Sequence, residues 1–339
     1  LGTFFPKNVR YNTVHQALLS GWIKEDEMNV SVEGKLKQFS EQEGLTGLTI
    51  RGLKAISTGT PGYTVSKGKQ FLAFQKRIHG ELLNHRVIHR NAFTAWFKQG
   101  DLSLEQVRAF VVQFSVFSNL FLVAQLLKVI NADSLDGMRA SKEILANEIG
   151  VIFSSARMRP KAVKDPDQEG DPALVSTEGT VDGGTFRFQA AHFEWLLTLG
   201  QKLGLTFGQM GKKRHGKPST LHFCNELARL YGSEDYEISQ AASYAVENWA
   251  AAGFWKELIQ GLTVFKKTHI PDLPLAFFTW HDKIESQHAQ HTQEELEEYY
   301  FEHDIQETHF IQYGNQMLDA VAVFWDGLDA QRKEIARSV

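Results

Sequence analysis

The sequence predicts an all-α protein with one large helical domain. Apolar residues recur at helical spacing from about residue 71 to the end, helix-starting and helix-stopping residues fall between the periodic segments, and strand candidates are few. FLAFQKRIHGELLNHRVIHRNAFTAWFKQG reads as helical and stops at Gly100. DLSLEQVRAF then opens a new helix, because Ser103 and Gln106 have the spacing of a capping box and Asp101 and Glu105 suit a positive helix end. The segments 134–153, 188–204, 233–262, 273–301 and 314–338 continue the pattern, giving about seven helices. Two regions break it. Residues 154–188 are rich in Gly, Pro and charge, so they read as a long insertion with a hairpin around Asp182-Gly183-Gly184. Residues 1–70 mix strand-like and turn-like signals and carry no role in this reading.

Composition narrows the function classes. Thirty-six Lys and Arg against forty Asp and Glu give a net charge of −4, so nothing argues for nucleic acid or an anionic membrane as partner. A single cysteine, Cys224, excludes an intrachain disulfide and a cysteine zinc cage, and fits a reducing compartment; a cytoplasmic location is expected. LGTFFPKNVR does not resemble a signal peptide. The uncharged run from Ala109 to Leu127 is long enough to span a bilayer, but Gln113, Ser115, Ser118, Asn119 and Gln125 interrupt it, which suits a buried core helix. No GxxxxGK[ST] or GxGxxG fingerprint supports a nucleotide-binding fold.

The candidate chemistry lies in HDKIESQH. At about 100° per residue, His281, Glu285 and His288 share one helix face within roughly 60°, while Asp282 lies about 100° from His281. Two imidazoles and a carboxylate suit Fe, Mn or Zn, and His291 continues the face as a supporting partner. The bland reading is a solvated polar stripe. Other helices offer acids in apolar settings: Glu247 among Ala, Val and Trp, with Glu257 on the more polar side, and Glu148 among Ile144, Leu145, Ile149 and Ile152, with Glu143 the less buried alternative. An unpaired ionised Glu in such a place is costly, and a hydrogen bond, an ion pair or a metal would each satisfy it. His192 is flanked by apolar residues and also reads as a satisfied core histidine.

The succession NE-IG, HFEWLLTLGQKLGL, AVENWAAAGFWKELIQGL, FFTWHDKIESQH and AVAVFWDGL resembles the haem-oxygenase-like diiron oxidases and oxygenases, whose scaffold is shared with TenA-like thiaminases and pyrroloquinoline-quinone synthase. The resemblance covers residues 71–339, interrupted by the 154–188 insertion in the region of the third core helix, with 1–70 as an N-terminal extension. It implies a site of Glu148, His192, Glu247, His281, Glu285 and His288 holding two Fe ions, with O2 as co-substrate. Glu148, His192 and His288 would surround one iron, His281 and Glu285 the other, with Glu247 bridging or terminal. Glu285 stands where Asp is common in the family. The insertion separates Glu148 from His192; by looping out and returning the chain in register it would leave both at the site and form a lid over it. Arg157, Arg159, Lys161 and Lys164 within it are cations that a substrate carboxylate could use. The implied activity is oxidation of a small amino-acid-derived substrate, by N-oxygenation or oxidative C–C cleavage, in specialised metabolism. The competing readings are a metal-free thiaminase-like or quinone-synthase-like enzyme and a non-catalytic haem-binding or interaction protein. A small molecule is the expected partner, and a homodimer is compatible with the sequence.

Overall fold

The computed structural model describes residues 25–154, 177–181, 184–188 and 191–338. They form two compact units, one running up to Lys76 with Glu297–Asp304, the other Arg77–Leu296 with Ile305–Val339. The helices are α1 (Glu25–Glu43), α2 (Ile50–Ser57), α3 (Val65–Glu81), α4 (Arg86–His89), α5 (Ala92–Phe97), α6 (Leu104–Ile130), α7 (Leu135–Glu148), α8 (His192–Lys202), α9 (Pro218–Glu226), α10 (Tyr236–Ala250), α11 (Phe254–Thr268), α12 (Ala276–Glu302) and α13 (Glu307–Ser338).

In the smaller unit, Thr49 caps α2 by accepting from Gly52 N, and its own amide and hydroxyl donate to Glu297 at 2.9 and 2.8 Å. Those bonds satisfy a carboxylate that is 2% exposed. Tyr63 stacks on Phe301 at 4.5 Å, and Phe71 and Phe74 pack against Tyr300. The mixed signals of residues 44–70 thus belong to turns around the short α2 and to the first residues of α3.

The larger unit has an aromatic core in which Phe110, Phe114, Phe117, Trp249, Phe324 and Trp325 meet in tilted and edge-on pairs. Around it α6 packs against α7, α8, α9 and α13. Ser103 and Gln106 make both halves of the expected capping box, at 3.2 and 3.0 Å. This helix is apolar and long enough to cross a membrane, and 56% of its most apolar window is buried, which fits a core helix.

Several boundaries differ from the sequence reading: the segment 233–262 is divided into α10 and α11 at Ala251–Gly253, and α9 lies between the expected segments. The stretch 71–100 is three helices, because the side chains of His85 and Asn91 accept from backbone amides of α4 and α5 and restart the chain. The helix expected over 134–153 ends at Glu148. Gly150 turns the backbone to φ +71°, and Val151–Ser154 continues as strand β1.

β1 belongs to a small antiparallel sheet of order β1-β3-β2, with β2 at Thr177–Val181 and β3 at Gly184–Phe188. The Val181↔Gly184 pairing fits the expected hairpin, whose Asp182 and Gly183 lie outside the described residues. So do Arg157, Arg159, Lys161 and Lys164. Val151 pairs with Phe188, so the base of the insertion is zipped and α8 starts beside the end of α7.

Candidate metal centre

The ladder sets the first contact of the site. Glu148 is the last residue of α7 and His192 the first of α8, and they meet with Oε1 3.2 Å from Nδ1. A carboxylate at a helix C-terminus faces the negative end of its own dipole, whereas the start of α8 offers a positive one. His192 is 4% exposed, and its Nδ1 has no aligned hydrogen-bond acceptor although Glu148 is so near. The two atoms lie within ion-pairing distance, and both are of ligand type.

His281 enters from α12. Its Nδ1 lies 2.5 Å from the carbonyl oxygen of Phe277 one turn earlier. A carbonyl only accepts, so Nδ1 carries the proton and Nε2 is the nitrogen that could take a metal. The ring is held by Trp255, stacked at 4.8 Å, and by Phe277 at 4.4 Å, and it stands edge-on to His192 at 4.9 Å. One ligand atom each from Glu148, His192 and His281 falls within 4.8 Å of the others. Metal bonds of about 2.0–2.2 Å put ligand atoms roughly 3–4 Å apart, so a small contraction would close the set on an ion. Two imidazoles and a carboxylate, one nitrogen lacking a bond, fit a divalent transition metal.

Glu247 from α10 is buried and lines the same cavity of about 70 Å³ as Glu148 and His281, outside the tight trio. Among the described residues the rest of the wall is apolar apart from Ser118, with Phe114, Phe117, Phe121 and Trp255 prominent. The weaker alternatives separate from the site: Glu143 is exposed, and Glu257 is bound by Thr94 at 2.6 Å and Lys98 at 2.7 Å. α12 is helical through 284–291, but the side chains there, including Glu285, His288 and His291, lie outside the described residues.

A buried polar network beside the cavity has no counterpart in the sequence reading. Lys128 of α6 is enclosed, donates to Ser243 Oγ at 2.6 Å and lies 4.7 Å over the ring of Tyr231. Tyr231 ends a π-helical segment, Leu227–Tyr231, and its hydroxyl accepts from Gln125 Nε2 at 2.6 Å. Burial lowers the lysine's pKa, opposed by the charges of Glu295 and Glu247, and burial pushes that of Tyr231 well up. Ser243 is one turn before Glu247 on α10, so the ammonium and the cavity carboxylate share a helix face.

No protein-family model matches the chain, and no curated protein sequence matches it. Among solved structures it is similar to a domain of unknown function with a heme oxygenase-like fold from Shewanella denitrificans OS217. That likeness has a TM-score of 0.50 and 13% sequence identity, and covers 80% of this chain and 95% of the other. The fold is therefore all-α and haem-oxygenase-like, with a small sheet at the base of an insertion.

Proposed function

We propose that the chain is a non-haem diiron oxidase or oxygenase acting with O2 on a small amino-acid-derived substrate, by N-oxygenation or oxidative C–C cleavage. The observation that carries the proposal is the convergence of Glu148, His192 and His281 in a buried, aromatic-walled cavity that Glu247 also lines. On this reading those four, with Glu285 and His288, hold the metals. Iron would supply the capacity to activate dioxygen and accept electrons, which no side chain here offers.

The chain's own part is positioning and exclusion. The Phe277 carbonyl fixes the tautomer of His281, and Trp255 and Phe277 fix its plane. The β1–β3 ladder holds Glu148 against His192. The phenylalanines and Trp255 keep bulk water from the ligands, and Lys128 places a positive charge near Glu247. The cavity has room for a diatomic gas and a water or two and none for a porphyrin, which disfavours the haem-binding alternative.

Iron content after anaerobic Fe(II) reconstitution tests the proposal. The parent should take up two irons and develop an O2-dependent absorbance change, and Glu247→Ala and His281→Ala should each bind less. Unchanged iron in both variants, or no spectral response in the parent, would sink it.

A further inference from the structure

An inner cavity of about 70 Å³ is too small for an amino-acid-derived substrate, so substrate must be held elsewhere. The same unit carries a cleft of about 530 Å³ between residues 87–98 and the α10–α11 turn. Trp249 borders both spaces. It sits two residues after Glu247, in the last turn of α10, and stacks on Phe254 at 4.8 Å. We propose that this cleft is the substrate chamber, that it takes a small carboxylate with an apolar or aromatic body, and that Trp249 is the partition between it and the inner cavity.

The ligand class follows from which groups are already committed. The acid in the cleft, Glu257, is engaged by Thr94 and Lys98. The donors are less committed. Arg90 has no carboxylate within ion-pairing distance among the described residues, and it borders both this cleft and an adjoining one of about 420 Å³. One uncommitted guanidinium and no idle acid among the described residues select a ligand that brings acceptors, and the planar fork selects a carboxylate. Val87, Ala92, Ala95 and Phe254 supply apolar wall for the remainder.

Trp249 alone among the described residues borders both cavities, and its ring is held by Phe117, Phe223, Phe254 and Trp325, so the partition is a fixed wall whose thickness its side chain sets.

What the ligand meets beyond Trp249 rests on the diiron reading, whereas binding in the cleft does not, so the test uses metal-free protein. Calorimetric titration with 3-phenylpropanoate, its neutral amide and 5-phenylpentanoate reads the two parts separately. The parent should bind the acid at least tenfold more tightly than the amide, and Arg90→Gln, a change at an exposed position, should erase that preference. Trp249→Phe, which keeps the stack on Phe254 and trims the partition, should shift preference toward 5-phenylpentanoate. No binding by the parent, equal binding of acid and amide, or an unaffected Arg90→Gln would overturn the carboxylate chamber. An unchanged chain-length preference in Trp249→Phe would overturn the partition. Acid binding by a protein that takes up no iron would refute the diiron reading and leave the chamber standing.

Discussion

The β1–β3 ladder should be worth about tenfold in metal affinity, although none of its residues is a candidate ligand. Glu148 and His192 are separated by about 43 residues, and closing a flexible loop costs roughly (3/2)RT ln n. With Val151 paired to Phe188, only about 8 residues on the two sides of the pair remain to be ordered. The ratio gives about 1.5 kcal/mol, or roughly a twelvefold change in binding. Val151→Pro with Ile152→Pro removes the ladder bond whichever of the two residues faces β3, since adjacent residues of an antiparallel strand point their amides to opposite sides. A second variant replaces Ile152–Arg187 by Asn-Gly, joining the paired residues through a two-residue turn. Competition of each protein with a chromophoric chelator for Co(II) measures affinity, and far-ultraviolet circular dichroism checks that the helices remain. The double proline should bind about tenfold more weakly and the short-circuited chain within threefold of the parent. Equal affinity in the double proline, or an equal loss in both variants, would refute the reasoning.

Three further outcomes are expected. A Cβ at Gly52 would lie 1.9 Å from Glu297 Oε1, so Gly52→Ala must displace a buried carboxylate from Thr49 and should cost about 2–4 kcal/mol in denaturant melts; a loss below about 0.5 kcal/mol would contradict the contact. Because burial lowers the folded pKa of Lys128, the unfolded chain binds more protons between that value and the ordinary one, and stability gains with rising pH across that window. Relative to Lys128→Met, the parent should therefore gain up to about 1.4 kcal/mol per pH unit in alkaline melts, and parallel pH profiles would refute the burial. Burial pushes the Cys224 thiol up to about 12, leaving roughly one thiolate in ten thousand at pH 8, so a disulfide reagent should label the protein only on unfolding; rapid native labelling would contradict it.

The parts of the fold legible in the sequence were those fixed by local chemistry. Ser103 and Gln106 satisfy each other's backbone within one turn, so three residues of spacing sufficed to place the start of α6. The breaks at His85 and Asn91 were harder, because apolar spacing continues across them and masks even a favoured cap residue such as Asn91. Gly150 was visible, but a glycine ends a helix only where the next residues gain more from another partner than from a further helical turn. Here Val151 finds that partner at Phe188, 37 residues away in the chain.

The site divides along the same line. Glu148, Glu247 and His192 could be picked out because each is a polar residue in an apolar helical setting, and His281 because it shares a helix face with Glu285 and His288, both signals carried by periodicity. That Glu148 meets His192 depends on strand pairing, and that Glu247 shares a cavity without joining the trio depends on how α10 lies against α12. Lys128 was missed for a different reason. A cation in the last turn of a helix already has a satisfactory local explanation in the helix dipole, so its sequence gives no cause to look for Ser243 or Tyr231. The π-helical turn that delivers Tyr231 has no simple periodic signature either, yet such turns gather where a side chain must be re-aimed. Residues with no adequate local role were therefore readable as candidates, whereas a residue with an ordinary local role concealed its tertiary one. Trp249 obeys the same rule: it reads as core, and only the folded chain shows that it borders two cavities.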